Sequence, residues 1–217
     1  MTTRQYRAAG VMGAGVFAVA LIALHILDSD QSVVEEYLSV YALGDYGWLS
    51  RAANLAMGLG LIAVALGLRA TLTEGKRVAA SWILILAAGV GFIISGIFNT
   101  DPTNTVESTT GGALHDLGGY ISMLSIMIAT WLLRGVFKRD VNYSDLYRTQ
   151  TCFALLMTSA LVTLMTFESI LGLTQRVFVA VVVTWLVILA INIRSTAEYQ
   201  KTALNPARSG VRYQREP

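Results

Sequence analysis

Six apolar runs, each about as long as a bilayer is thick, leave this chain few folds to choose from. They cover roughly Ala8–Leu27, Trp48–Arg69, Val78–Phe98, Ala113–Phe137, Gln150–Leu171 and Arg176–Ile193. At a rise of about 1.5 Å per residue, a helix of about 20 residues crosses the ~30 Å of hydrocarbon. In lipid every backbone N–H and C=O needs a partner inside the protein, which a helix supplies locally. The alternation required by a membrane β-barrel is missing from these runs. Composition agrees, with 54% hydrophobic and only 14% charged residues, against about 25% charged in soluble domains. Mean hydropathy is +0.57. The expected class is all-α, a polytopic bundle of six transmembrane helices within 1–194, followed by a disordered basic tail over 195–217. The 217 residues leave room for short loops and no added soluble domain.

Lysine and arginine placement orients the bundle. Of the sixteen, only Arg51 and Arg176 fall on one side. The other side carries Arg4, Arg7, Arg69, Lys76, Arg77, Arg134, Lys138, Arg139, Arg148, Arg194 and the four cations of the tail. The positive-inside rule makes that side cytoplasmic, with both termini inside, as an even number of spans requires. Plasma (inner) membrane is the expected location. Tyr41, Tyr46 and Trp48 mark the outer interface and Trp82, Trp131, Tyr143 and Tyr147 the inner one. Trp185 falls mid-span, as a packing residue. The first run follows Arg4 and Arg7 like a signal peptide, but its length and the lack of a small-x-small site before Asp28 read as an uncleaved span. No lipidation motif is visible. The lone Cys152 excludes an intramolecular disulfide and reads as a small buried apolar residue.

The loops are unequal. In Asp28–Gly47, Ser32 with Glu35 fits a capping box, and Val33, Val34, Tyr37, Leu38, Val40 and Tyr41 recur at helical spacing before Gly44. This predicts a short amphipathic helix on the outer surface. Asn99–Gly112, rich in Thr, Asn, Ser and Gly, reads as irregular, and Gly172–Gln175 as a tight turn joining the last two spans. The many glycines within spans suit close helix packing. No internal repeat supports an inverted-repeat transporter.

Polar residues gather at one depth. His25 lies about 26 Å along its span at 1.5 Å per residue, near the outer end. His115 begins the fourth span, with Asp116 beside it; Asp28 follows His25 by one turn. Arg51 and Asn54 open the second span, Asn99 and Asp101 end the third, Glu168 lies one turn inside the outer end of the fifth, and Arg176 opens the sixth. Ionisable groups near membrane depth usually face a bundle interior or a watery cavity. The expected site is therefore an outward-facing pocket of His25, Asp28, Arg51, Asn54, Asn99, Asp101, His115, Asp116, Glu168 and Arg176. His115, Gly119 and Ser122 share one helix face, as do Ser95 and Asn99, and these faces line it.

Two histidines with carboxylates suit zinc, and two histidines alone suit a haem. Against a metal stand the absence of HExxH and of a second histidine at helical spacing; no metal is assigned and the cofactor stays unknown. No motif pairs a Ser or Cys nucleophile with a histidine. A purely structural role is the competing reading: Arg51 or Arg176 neutralises Glu168 or Asp101, and Asp101 or Asp116 caps the fourth helix. A net charge of +2, without a basic face interleaved with aromatics, gives no nucleic-acid signature.

The stretch Gly96-Ile97-Phe98-Asn99-Thr100-Asp101-Pro102, followed by Gly111-Gly112-Ala113-Leu114-His115, resembles the G-x-F-x-x-D … H pattern of the DUF998 membrane proteins. Ser39–Gly47, as S-x-x-x-x-G-x-x-G, is similar to the segment before that family's second span. Many members carry proline where this chain has Asn99 or Thr100. The resemblance implies a six-helix protein, brings no known activity, and marks Asp101 and His115 for testing first. The leading expectation is a non-enzymatic membrane protein whose pocket binds a lipid headgroup or small polar ligand, or an accessory subunit or homo-oligomer among membrane lipids. A membrane-embedded hydrolase or transferase using His115 with Asp101, Asp116 or Glu168 is the second, and a proton-coupled transporter using Glu168 the third.

Overall fold

The computed structural model describes residues 1–73, 75–103 and 105–194; the predicted disordered tail lies outside them. Six helices follow in chain order: α1 (Thr3–Leu27), α2 (Gly47–Thr71), α3 (Lys76–Ile97), α4 (Thr110–Phe137), α5 (Tyr147–Thr166) and α6 (Leu171–Ile191). Among the described residues there is no strand. A capping box between Thr2 and Gln5 opens α1, and Thr109 opens α4 by accepting the Gly112 N–H at 3.0 Å. All six segments are long and apolar enough to cross a membrane. Their outward faces suit lipid: Met12, Val16, Val19, Ile22 and Ile26 form an exposed apolar stripe along α1, at the three- and four-residue spacing of one helix face. The chain is an integral, multi-pass helical bundle.

Each helix packs on its sequence neighbour, and α6 returns to α1, closing a ring. At the closure Arg7 donates from Nε to Ile193 O at 2.6 Å, so the start of α1 and the end of α6 share one end of the bundle. Three crossings are set by glycine. A methyl on Gly13 would lie 2.8 Å from Gly60 Cα, one on Gly58 2.6 Å from Gly89 O, and one on Gly91 2.5 Å from Gly118 O. Backbone therefore touches backbone from α1 through α4, and van der Waals contact replaces the hydrophobic drive that lipid removes. The α4–α5–α6 side is held by a buried polar tie instead. Gln150 donates to Thr130 O at 3.0 Å and accepts from Trp185 Nε1 at 3.1 Å. At the termini end, Arg69 lies over Trp82, Arg134 and Lys138 over Tyr147, and Arg194 over Tyr143. Tyr143 is buried there, which raises its phenol pKa, although its hydroxyl accepts the Arg194 N–H at 3.0 Å.

Several sequence expectations need correction. The loop between α1 and α2 (loop 1) forms no α-helix: a turn near Val34 leads to a 3-10 turn, Leu38–Ala42. The reason is tertiary. A helix there would bond Leu38 N–H to Val34 O, but Leu38 N–H donates to Gln175 Oε1 (2.7 Å) and Val34 O accepts from Leu173 N–H (3.1 Å). Both groups are claimed by the start of α6. Ser32 accepts from Glu35 N–H, yet the side chain that reaches back to Ser32 N–H is Glu36, one residue later than expected. The fifth span stops at Thr166, not Leu171, and Glu168–Ile170 make a 3-10 connection. The break places the Glu168 carboxylate on the exposed connection rather than in the helix, which spares it desolvation. Gly172–Gln175 is not a turn but the first turn of α6, where Gly172 packs against Glu36 O. Cys152 is exposed on the outside of α5, not buried.

The glycine crossings make a direct test. Gly58→Ala forces α2 and α3 apart and should cost about 1–3 kcal/mol, seen as a lower melting temperature in detergent. Gly15→Ala, whose methyl meets nothing within 4 Å, should melt no lower than wild type.

Candidate functional site

At the end of the bundle opposite the termini, the helices splay around a cavity of about 90 Å³. That is several times the ~10–15 Å³ a single water needs. Every helix but α5 contributes to its wall. The apolar part includes Phe17 (α1), Phe92 (α3) and Phe178 (α6). Ser39, Ser50, Asn54, Ser95, His115, Ser122 and Gln175 form the polar part. Among the described residues, no Asp, Glu, Lys or Arg lines it.

His115 is buried in this wall. Its Nδ1 lies 3.0 Å from Ser95 O and 2.9 Å from Phe98 O. Both oxygens are acceptors, so Nδ1 carries the proton, which in the neutral tautomer leaves the lone pair on Nε2. Ser95 returns a bond from Oγ to His115 O at 2.9 Å, which locks the corner between α3 and α4. Ser122 donates to Ala88 O and Gly118 O. Among the described residues, Ser39, Ser50 and the Asn54 amide make no side-chain hydrogen bond. The chamber therefore offers His115 Nε2, two hydroxyls and a carboxamide beside aromatic rings. Gly119 borders it with open space: a methyl there meets nothing within 4 Å.

Beside the chamber, Arg176 gathers loop 1. It donates from Nε to His25 Nε2 at 2.9 Å, and from Nη1 to Glu36 O (2.7 Å) and Gly172 O (3.0 Å). Its guanidinium lies 5.8 Å from the centre of the Tyr41 ring. His25 Nδ1 lies 2.7 Å from Leu21 O, so it donates there and leaves Nε2 free to accept from Arg176. One planar cation thus joins α1, loop 1 and α6, and its partners are an imidazole and carbonyls rather than Glu168 or Asp101.

The ten sequence candidates separate. Asn54 and His115 line the chamber, and His25 and Arg176 form the neighbouring clamp. Asp28 sits on loop 1 against Gly44, with Oδ2 buried and unpartnered among the described residues. Asn99, Arg51, Asp116 and Glu168 are exposed. Burial, then Tyr120, then the negative charges of Asp116 and Glu168 raise the Tyr37 phenol, so these groups are neighbours on the outer surface of loop 1. Asp101 belongs to the loop before α4: Thr109 donates to it from N (2.8 Å) and Oγ1 (2.6 Å), and Ser108 from Oγ (3.2 Å). Those hydrogen bonds hold its carboxyl below the usual carboxylate range. Among the described residues no three His, Cys, Asp or Glu side chains gather as a metal ion would need. Ser95, Gly119 and Ser122 were readable from their helix faces. Ser39, Ser50 and Gln175 were missed, although Ser50 stands one turn from Asn54 on the same face.

A family model described as "Protein of unknown function (DUF998)" matches residues 11–192. The chain belongs to the DUF998 family. No curated protein and no solved structure matches it. In this DUF998 chain the G-x-F-x-x-D … H stretch builds the α3–α4 corner. Gly96 lets α2 approach, where a methyl would lie 3.1 Å from Arg51 O; Asp101 fastens the start of α4; His115 bonds back to the end of α3. Of the three, only His115 lines the chamber.

The Asp101 fastening should depend on pH. Its folded pKa is depressed, so its contribution is present above the usual carboxylate range and lost as pH falls through the folded value. Hydrogen-exchange protection at 105–112, taken relative to the intrinsic rate at each pH, should fall at low pH and, at neutral pH, in Asp101→Asn; equal protection in both proteins would remove the capping role. Arg176→Lys supplies a point charge that cannot make the same fork of bonds. It should leave the helices intact yet speed proteolysis within 28–46.

Proposed function

We propose that this protein is a binding protein of the membrane. In this reading the chamber takes a small uncharged polar group, such as a lipid headgroup's hydroxyls or a small polar ligand, with His115 Nε2 accepting a hydrogen bond from it. The carrying observation is the mismatch between polar capacity and use: His115 Nε2, Ser50 and Asn54 face a cavity with no protein partner among the described residues. Polar groups that line a cavity without a protein partner bond there to water or to a ligand. The lack of Asp, Glu, Lys and Arg among the described residues of the wall favours an uncharged ligand over an ion. It also leaves His115 without a carboxylate to act beside it, which favours binding over hydrolysis or transfer. Glu168, exposed on the α5–α6 connection, gives no support to proton-coupled transport.

The asymmetry of Lys and Arg supports a chamber near the outer face of the plasma membrane, with both termini cytoplasmic. A reporter fused to the C-terminus that is accessible from outside intact cells overturns that orientation.

Gly119→Leu is the clean test of the chamber, because it fills space without disturbing a helix crossing. Mass spectrometry of extracts from purified wild-type protein should show a bound small molecule. Gly119→Leu and His115→Gln should each retain it at least about tenfold more weakly, a loss of roughly 1.4 kcal/mol, while Gly119→Leu keeps the wild-type melting temperature. The same content in wild type and Gly119→Leu would mean that the chamber is not the binding site.

A further inference from the structure

A second cavity lies at the termini end and has the opposite character. It measures about 520 Å³ and sits between the start of α3 and the end of α4. Lys76, Arg77 and Arg139 line it, together with Gly135, Asp140 and Asn142. The three cations gather at one cavity, and they differ from four others on this face. Arg69, Arg134, Lys138 and Arg194 each lie over an aromatic ring, and Arg194 also pairs with Asp145 at 2.6 Å. Among the described residues, Lys76, Arg77 and Arg139 have no ion pair, side-chain hydrogen bond or ring contact.

The surrounding structure leaves their charge available. Among the described residues the carboxylate in the wall is Asp140, which turns Oδ1 to Asn142, accepting from its N at 2.9 Å and its Nδ2 at 3.3 Å. Gly135 makes room for Arg77: a methyl there would lie 3.2 Å from its Nη1, so the guanidinium passes over bare α4 backbone. The first turn of α3 adds peptide N–H groups without a side-chain cap, and such groups favour an anion. Guanidinium forks and an ammonium around one hollow match phosphate oxygens.

We propose that this cavity is a binding site for a phosphate-bearing anion, distinct from the uncharged chamber at the other end. The phosphate comes either from an anionic phospholipid, whose headgroup would sit at the level of the Arg69–Trp82 and Arg194–Tyr143 pairs, or from a soluble phosphate.

Native mass spectrometry of the purified full-length protein tests this, with phosphatidylglycerol, phosphatidylcholine or inorganic phosphate added to separate samples. Phosphatidylglycerol should be retained in preference to phosphatidylcholine. The double variant Arg77→Gln/Arg139→Gln should lose on the order of tenfold in that retention. Arg4→Gln/Arg148→Gln, which removes two cations elsewhere on the same face, should retain the wild-type preference. Retention of inorganic phosphate without phosphatidylglycerol would assign the site to the soluble source. Equal retention of both phospholipids by wild type, with no phosphate bound, overturns the proposal without recourse to any variant. Equal losses in the two double variants also overturn it, since general surface charge then accounts for the effect. The uncharged chamber plays no part in this readout, so its own test stands or falls separately.

Discussion

Backbone-to-backbone contact between successive helices from α1 to α4 is the constraint on which the rest of the molecule depends. In lipid there is no hydrophobic gain from bringing helices together, so close fit and interhelical hydrogen bonds must hold them. The contacts at Gly13–Gly60, Gly58–Gly89 and Gly91–Gly118 supply the fit and fix the helix spacing. With that spacing set, Ser122 can reach across to Ala88 O, and Ser95 and His115 can exchange bonds between α3 and α4. Where glycine contact is missing, on the α5 side, Gln150 provides the hydrogen bonds instead. The chamber is the space left among the helices beside these crossings, toward the end opposite the termini.

The two ends of the bundle solve different electrostatic problems. At the termini end, cations meet aromatic rings, where the ring face and the charge attract. At the chamber end Arg176 is satisfied by neutral acceptors, with the Tyr41 ring beside it. This choice has a consequence for His25. Its Nε2 must be unprotonated to accept from Arg176, so the clamp needs a neutral imidazole next to a permanent cation. The loop that borders the chamber is thus held by hydrogen bonds to uncharged groups, not by an ion pair.

Much of this was legible in the sequence because the signals were local. Six apolar runs specify six helices without reference to their neighbours, and a face of small and polar residues on α4 points to a cavity wall. Long-range competition was not legible. Leu38 and Val34 carry a helical pattern, yet their peptide groups bond to Gln175 and Leu173 instead. Nothing near residue 38 announces residue 175. The acids misled for a related reason. Shared depth suggested convergence, but depth does not fix direction around a helix axis. Asp116 follows His115 directly, about 100° further round the helix, and is exposed while His115 is buried. Glu168 lay inside an apolar run, and only the break at Phe167 takes it out of the helix.

The absence of α5 from the chamber wall divides the sequence into parts with unequal freedom to change. Along α1 to α4, a substitution at a crossing moves two backbones and, through them, the cavity. Along α5, the exposed Leu155, Leu156, Val162 and Met165 meet only the surroundings of the bundle, where one aliphatic side chain serves as well as another. Selection has little to act on there beyond hydrophobicity and the buried positions such as Gln150. This helix is the natural place for lineages to diverge, or to acquire a surface that recognises another membrane protein, without altering what the chamber holds.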